Sequence, residues 1–174
     1  MQLSKIDIKK IGIKEISVLQ EIAIKTFKDT FSEVNSAADM RAYLEESFNT
    51  ASLALELNNP DSEFFFAVEG KEIMGYLKIN FGNAQNELKE ENSLEVERIY
   101  VLEQFQRKQI GQLMFNKALE IAQNKKVDFV WLGVWEHNTK AMNFYQKNGF
   151  EVFDKHSFFF GSDEQTDIMM RLFL

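Results

Sequence analysis

Between residues 94 and 134 the spacing of apolar residues changes period twice, and no other stretch constrains the fold as tightly. A β-rich run covers 94–101, and helical spacing follows from about Gly111 to Lys125, with Leu113, Met114, Ala118, Leu119 and Ile121 expected to face inward. A second β-rich run covers 128–134. Parallel strands need a crossover of a dozen or more residues, usually a helix, so this stretch reads as a parallel βαβ unit. The rest of the chain must supply a sheet and cover for it.

On the N-terminal side, Ile6 and Ile8 alternate as in a strand, and Ile16, Leu19, Ile22, Ala23, Thr26 and Phe27 keep helical spacing. Met40, Tyr43, Leu44 and Phe48 give a second helical face from about Ser36. Thr50 is expected to cap a short third helix, carrying Leu53 and Leu57 and stopped before Pro60. Runs over 64–68 and 73–80, joined at Gly70, read as an antiparallel hairpin, because glycine supplies the positive φ of a tight turn. The polar stretch 83–92, with Glu87, Glu90 and Glu91, reads as a solvated turn. Beyond the βαβ unit, Asn138 or Thr139 should cap a helix with Ala141, Phe144 and Tyr145 along one face and Gly149 at its stop. Strands over 150–160 and 166–174 close the chain. With no proline-, glycine- or serine-rich linker and no repeat, one mixed α/β domain over residues 1–174 is expected.

Composition removes several chemistries. The 174 residues contain no cysteine, which excludes disulfides, zinc-thiolate and iron–sulfur sites, and acyl transfer through a thiolate. No metal site is expected. No apolar stretch approaches the ~20 residues of a membrane helix, so a soluble, unprocessed cytoplasmic protein without membrane partners is expected. A net charge of −7 argues against duplex nucleic acid as a partner and leaves a polycationic substrate open.

Where the strand ends at Val101 and the helix begins near Gly111, Gln106, Arg107, Lys108, Gln109, Ile110, Gly111 and Gln112 combine two cations, a glycine and a run of backbone amides. Unpaired N–H groups and a partial positive charge at a helix N-terminus suit a diphosphate. The plainer reading is a solvated turn with two surface cations. No Gly-Lys-Ser/Thr follows, so this is no Walker loop, and the spaced glycines of a dinucleotide fingerprint are missing.

Four blocks in this order carry a resemblance: Leu94-Glu95-Val96-Glu97-Arg98-Ile99-Tyr100-Val101, Gln106-x-x-x-x-Gly111, Trp131-Leu132-Gly133-Val134, and Asn138-x-x-Ala141-x-x-Phe144-Tyr145-x-x-x-Gly149-Phe150. Together they resemble the GNAT family of acetyl-CoA-dependent N-acetyltransferases. Within it the chain is similar to PaiA-type polyamine acetyltransferases, through Thr26-Phe27-Lys28-Asp29-Thr30-Phe31, Ala42-Tyr43-Leu44-Glu45, residues 131–136, His156-Ser157-Phe158 and Glu164-Gln165-Thr166-Asp167.

The resemblance implies a GNAT fold, whose central, mostly antiparallel sheet splays at a parallel strand pair and is flanked by helices. It implies transfer of acetyl from acetyl-CoA to a primary amine, foremost of spermine or spermidine, by direct attack in a ternary complex. Backbone groups of Ile99, Tyr100 and Val101 would meet the acetyl and pantetheine arm, and Gln106 through Gln112 would wrap the pyrophosphate. Asn138 would cap its helix and reach the pantetheine, and Lys147 would add a phosphate contact. Tyr145 falls at the general-acid position, although by its own residue pattern it is a core aromatic. Glu97 matches the base of related polyamine acetyltransferases and Glu95 that of more distant relatives; Glu97 is taken as the base and Glu95 held in reserve. One departure stands out, since the family pattern has glycine where this chain has Gln109. If that position requires positive φ, glutamine carries about 1 kcal/mol of strain.

Acceptor recognition is expected from the helical N-terminal third and the last strands, with Asp29, Glu33, Tyr43, Glu45 and Glu46 as candidates. His137 and His156 match no catalytic position. Alternative readings are a protein N-terminus or an amino sugar as acceptor, or a non-catalytic acyl-CoA-binding regulator; a homodimer is left open.

Overall fold

A computed structural model describes residues 5–174. Residues 1–4, part of the stretch in which no leader is expected, lie outside the described residues. The chain runs β1 (Asp7–Ile11), α1 (Ile16–Phe31), α2 (Ala37–Ser47), α3 (Thr50–Asn58), β2 (Ser62–Glu69), β3 (Glu72–Phe81), β4 (Ser93–Val101), α4 (Ile110–Asn124), β5 (Phe129–Trp135), α5 (Thr139–Lys147), β6 (Glu151–Phe160) and β7 (Asp163–Phe173). Helix α2 begins after Ser36, where its helical face was expected to start, and Ser36 caps it; Asn138, one of the two residues expected to do so, caps α5. The cap of α3 is Asn49 instead of Thr50: its Oδ1 accepts from Ser52 N at 2.8 Å, so the helix starts one residue earlier than the hydroxyl suggested. Among the described residues no helix is long and apolar enough to cross a membrane.

All seven strands form one sheet in the order β1-β2-β3-β4-β5-β7-β6, antiparallel throughout except for β4 and β5. That parallel pair has three register positions only, Ser93↔Phe129, Leu94↔Val130 and Glu95↔Trp131. Past Glu95, β4 stays paired with β3 as far as Val101, and β5 stays paired with β7 as far as Trp135, while the two lose each other. A local cause lies in β4, where Lys78 and Ile79 of β3 face Arg98 and Val96, leaving Glu97 as an extra residue. Such a bulge bends its strand and increases its twist. The sheet therefore opens where its one parallel junction was expected.

Two apolar layers hold the sheet. On one face Ile110, Met114, Phe115, Ala118 and Ala122 of α4 pack with Leu77, Ile79, Leu94, Val96, Val130, Leu132 and Val134. Leu113, expected inward, is 38% exposed, because it sits about 100° round the helix from Met114. On the other face Leu19, Ile22 and Phe27 of α1, Met40 and Leu44 of α2, and Leu53 of α3 cover Phe64, Phe66 and Tyr76. Contact between β3 and β4 is so close that a Cβ on Gly75 would lie 2.5 Å from the Tyr100 carbonyl oxygen and 3.2 Å from Met114 Cε. Gly75→Ala would push the strands apart beside the opening.

Candidate active site

The opening between β4 and β5 exposes backbone in the middle of the sheet. Gly133 is exposed although its neighbours Leu132 and Val134 are buried. Those neighbours point to α4, so Gly133 faces the side covered by α1–α3. The Asp167 side chain lies over it, with Oδ2 3.4 Å from where a Cβ would stand. Asp167 is half-buried; burial raises its carboxyl above the usual range, partly offset by the nearby His156.

The bulge sets the carboxylates. Asn80 Nδ2 donates to Glu95 Oε1 and to Glu97 Oε2, each at 2.9 Å, so both carboxylates stand on one face as their spacing suggested. Their surroundings differ. Lys78 forms an ion pair with Glu97 and lies 3.3 Å from Glu56 Oε2, and Arg98 grips Glu56 through two hydrogen bonds of 2.7 and 3.1 Å. Glu97 Oε1 is also 3.8 Å from Arg98 Nη2. Burial alone would raise the Glu97 carboxyl, but the Arg98 and Lys78 charges and the hydrogen bonds from Lys78 and Asn80 outweigh it and hold it at about 2. Glu95 is 4% exposed and has no cation partner among the described residues. Burial, then the Glu97 charge, push its carboxyl above the ordinary range, against hydrogen bonds from Asn80 and Asn86. One glutamate is locked as an anion in a charge cluster; the other is buried without a cation beside it among the described residues, and its carboxyl is raised.

Past Glu95, the backbones of Ile99, Tyr100 and Val101 pair with β3 on one side only, and their other edge faces the opening. The side chains of Ile99 and Val101 join the α4 layer, and Tyr100 stacks on Tyr76 with centroids 5.9 Å apart. Tyr76 Oη is buried without a hydrogen-bond partner.

The loop leading into α4 is shaped by its backbone. Arg107 and Gln109 both lie in the left-handed region, with φ of 64° and 62°. Unlike α2, α3 and α5, helix α4 has no side-chain cap at its N-terminus, so its first amides are left for another acceptor. Gln106, Arg107, Lys108 and Gln109 are exposed, whereas Ile110 is buried and anchors the turn. Gln106 Nε2 donates to the Val101 carbonyl at 3.3 Å, and Lys108 Nζ lies 5.4 Å from the centroid of the Phe105 ring. A Cβ on Gly111 would touch only Val101 Cγ2, at 3.9 Å, so no protein neighbour demands glycine there. Gln112 bonds Asn116 and Asn148, both at 2.9 Å, tying α4 to the end of α5. The Asn138 side chain accepts from Ala141 N at 3.2 Å, and Lys147 is exposed in the last turn of α5. An uncapped helix end, an exposed cationic turn and an open strand edge leading from it suit the diphosphate and extended arm of acetyl-CoA.

Tyr145 is buried among Phe115, Phe144 and Phe150. Burial raises its phenol well above the ordinary range, so it holds its proton at neutral pH. Its hydroxyl makes no hydrogen bond to a described residue. His137 is exposed beside Glu136, and His156 pairs with Glu87 at 3.1 Å.

The acceptor candidates scatter. Tyr43 stacks on Phe27 and Phe160, Asp29 pairs with Lys25 at 3.2 Å, and Glu33, Glu45 and Glu46 are exposed. A groove of about 620 Å³ between α1 and α2 is lined by Glu45 but by no residue of β4, β5 or the α4 turn. Asp167, Asn80 and Asn86 went unnoticed as site residues from sequence. Only Asp167 lay within a quoted motif, and the contacts of the other two depend on strand pairing.

The family model for the acetyltransferase (GNAT) family matches residues 23–150. The uncharacterized N-acetyltransferase in pepI 3'region of Lactobacillus delbrueckii subsp. lactis is 38% identical over 97% of this chain and 98% of its own. Spermidine N(1)-acetyltransferase of Thermoplasma acidophilum is 26% identical over 86% of this chain and 90% of its own. The crystal structure of PaiA N-acetyltransferase from Thermoplasma acidophilum in complex with coenzyme A superposes with a TM-score of 0.81 at 25% identity, covering 98% of this chain and 99% of that one. Sheet, opening and helix-end turn thus accord with a match over most of the chain, and the protein belongs to the GNAT family of acetyltransferases, which move acetyl from acetyl-CoA to an amine.

Proposed function

We propose that the amine is that of a polyamine, spermine or spermidine, and that Glu95 takes the proton from it. The observation that carries the second part is the contrast between the two glutamates. An alkylammonium with a pKa near ~10.4 must lose a proton before it can attack a carbonyl, and a base works best with a pKa closer to neutrality. Glu97, held near 2 by Arg98 and Lys78, has little affinity for a proton. Glu95, buried at the root of the opening and raised, has more, and receives it directly or through one water.

When bound, acetyl-CoA supplies the acetyl group as a thioester. The turn from Gln106 to Gln112 would hold its diphosphate, with Asn138 and Lys147 near the same path. The open edge at Ile99, Tyr100 and Val101 would orient its arm. Tyr145 keeps a proton at Oη to share with the departing sulfur.

Support for a polyamine comes from the relative named spermidine N(1)-acetyltransferase and from the charge of −7. Asp167 adds a local reason: a half-buried carboxylate over the exposed Gly133 would regain, from a second ammonium of the acceptor, the stabilisation that burial removes. Lys78 and Arg98 do not oppose a cation there, because Glu56 and Glu97 neutralise them.

An amine panel followed by thiol release tests the reading. kcat/KM should fall in the order spermine or spermidine, putrescine, monoamines, peptides, and salt should raise KM more than it lowers kcat. A peptide N-terminus or an amino sugar outrunning every polyamine would refute the polyamine assignment and leave acetyl transfer standing.

A further inference from the structure

The stretch over 83–92 is more than the solvated turn its charges suggest. Gln85 is buried, and its Oε1 accepts from Trp131 Nε1 and from Ser93 Oγ, each at 2.7 Å. Its Nε2 reaches the carbonyls of Gly82 and Leu88 at 3.4 and 3.3 Å. This ties the loop to both strands of the parallel junction at its closed end, and the next residue benefits. Asn86 N donates to Glu95 Oε1 at 3.0 Å, and Asn86 Nδ2 lies 3.2 Å from Oε1 and 3.0 Å from Oε2. With Asn80 Nδ2 also on Oε1, that oxygen is surrounded by donors, whereas Oε2 has Asn86 Nδ2 alone and keeps a lone pair open.

We infer that Asn86 is a positioning residue for acetyl transfer, which turns Glu95 so that Oε2 is the oxygen that takes the amine's proton and sets the pH at which Glu95 is ionised. This rests on the reading of Glu95 as the base. Asn80 touches Glu97 as well as Glu95, so its removal would disturb the charge cluster; Asn86 bonds Glu95 without touching that cluster. The charged groups around Glu95 are Glu97 on its own strand, Lys78 of β3 and Arg98 of β4 that neutralise Glu97, and Glu56 of α3 behind them; on the loop, Glu87 is taken up by His156. None of them donates a hydrogen bond to Glu95, which leaves the two asparagines to stabilise its ionised form.

The test is the pH dependence of kcat/KM for spermidine in wild type, Glu95→Gln, Asn86→Ala and Asn86→Asp, with a carbon-13 NMR titration of the Glu95 carboxyl, assigned by its loss in Glu95→Gln. Losing the Nδ2 contacts disfavours the ionised form, so the acidic limb in Asn86→Ala should move up by about one pH unit, and further in Asn86→Asp, where an anion replaces the donor. The NMR midpoint should move with it, and acetyl-CoA affinity should hold. The Gln85 anchors do not use the Asn86 side chain, so these variants keep the loop, and NMR reads Glu95 even without turnover. A limb and an NMR midpoint that both stay at their wild-type values in Asn86→Ala overturn the inference. If Glu95→Gln keeps the limb, or the NMR midpoint moves while the limb stays, Glu95 is not the base, and the underlying reading fails instead.

Discussion

Replacing Glu97 with glutamine removes a negative charge that is ion-paired with Lys78, lies 3.8 Å from Arg98 and accepts a hydrogen bond from Asn80. Its carboxyl stands at about 2 in the folded chain against 4.5 as an ordinary glutamate. At about 1.4 kcal/mol per pH unit, that lowering is worth about 3 kcal/mol of folding stability. Because the folded value lies below the unfolded one, this stability is fully present above pH ~4.5 and drains away as pH falls towards ~2. Glu97→Gln should therefore be less stable than wild type by about 3 kcal/mol at pH 7, and the gap should close in acid. Urea unfolding followed by tryptophan fluorescence reads this as a midpoint lower by about 1–2 M at pH 7, with unchanged slope, and a gap reduced to roughly a quarter of that close to pH 2.5. Equal midpoints at pH 7, or a gap indifferent to pH, would refute the electrostatic reasoning. In the fraction that stays folded, the acidic limb of the pH–rate profile should persist; its loss would make Glu97 the base.

Tyr145→Phe should lower kcat by ~10²–10³ while the Kd for acetyl-CoA, measured calorimetrically, barely changes; near-normal turnover would return Tyr145 to the core alone. Gln109→Gly relieves about 1 kcal/mol of left-handed strain and loosens the unfolded chain by a similar amount, so the melting temperature should hold and acetyl-CoA should bind equally or more tightly. Weaker binding would show that the glutamine side chain itself contacts the cofactor. Tyr76→Phe deletes a buried hydroxyl without a partner and should raise stability by about 1 kcal/mol in the same urea assay; a fall would mean that the hydroxyl is bonded to water.

What could be read from sequence follows the range of the forces involved. The apolar periods of the crossover, the start of α2 near Ser36, the cap at Asn138 and the hairpin at Gly70 depend on residues a few positions apart, and they appear as expected. The unusual backbone at Gln109 was legible because a glycine is expected in its place. Glu95 and Glu97 share a face as their spacing suggested, but the bulge at Glu97, which brings Arg98 into the cluster, is revealed only by the pairing with Lys78 and Ile79. Lys78 sits in a run read only as one strand of a hairpin, and its partner Glu56 comes from a helix read only for Leu53 and Leu57. Charge density at Glu87, Glu90 and Glu91 hid the neighbouring Gln85 and Asn86, whose partners lie on β4 and β5. Periodicity reports which face is buried; it is silent on which polar side chain finds which partner across a sheet.

A crystal structure with coenzyme A and spermidine bound together bears most directly on the mechanism. The diphosphate should lie on the amides at the start of α4, and the reacting amine nitrogen should stand within hydrogen-bond reach, or one water, of Glu95 Oε2, with a second ammonium near Asp167. A diphosphate away from residues 106–112, or an amine nitrogen paired with Glu97 while Glu95 faces no ligand or water, would contradict it.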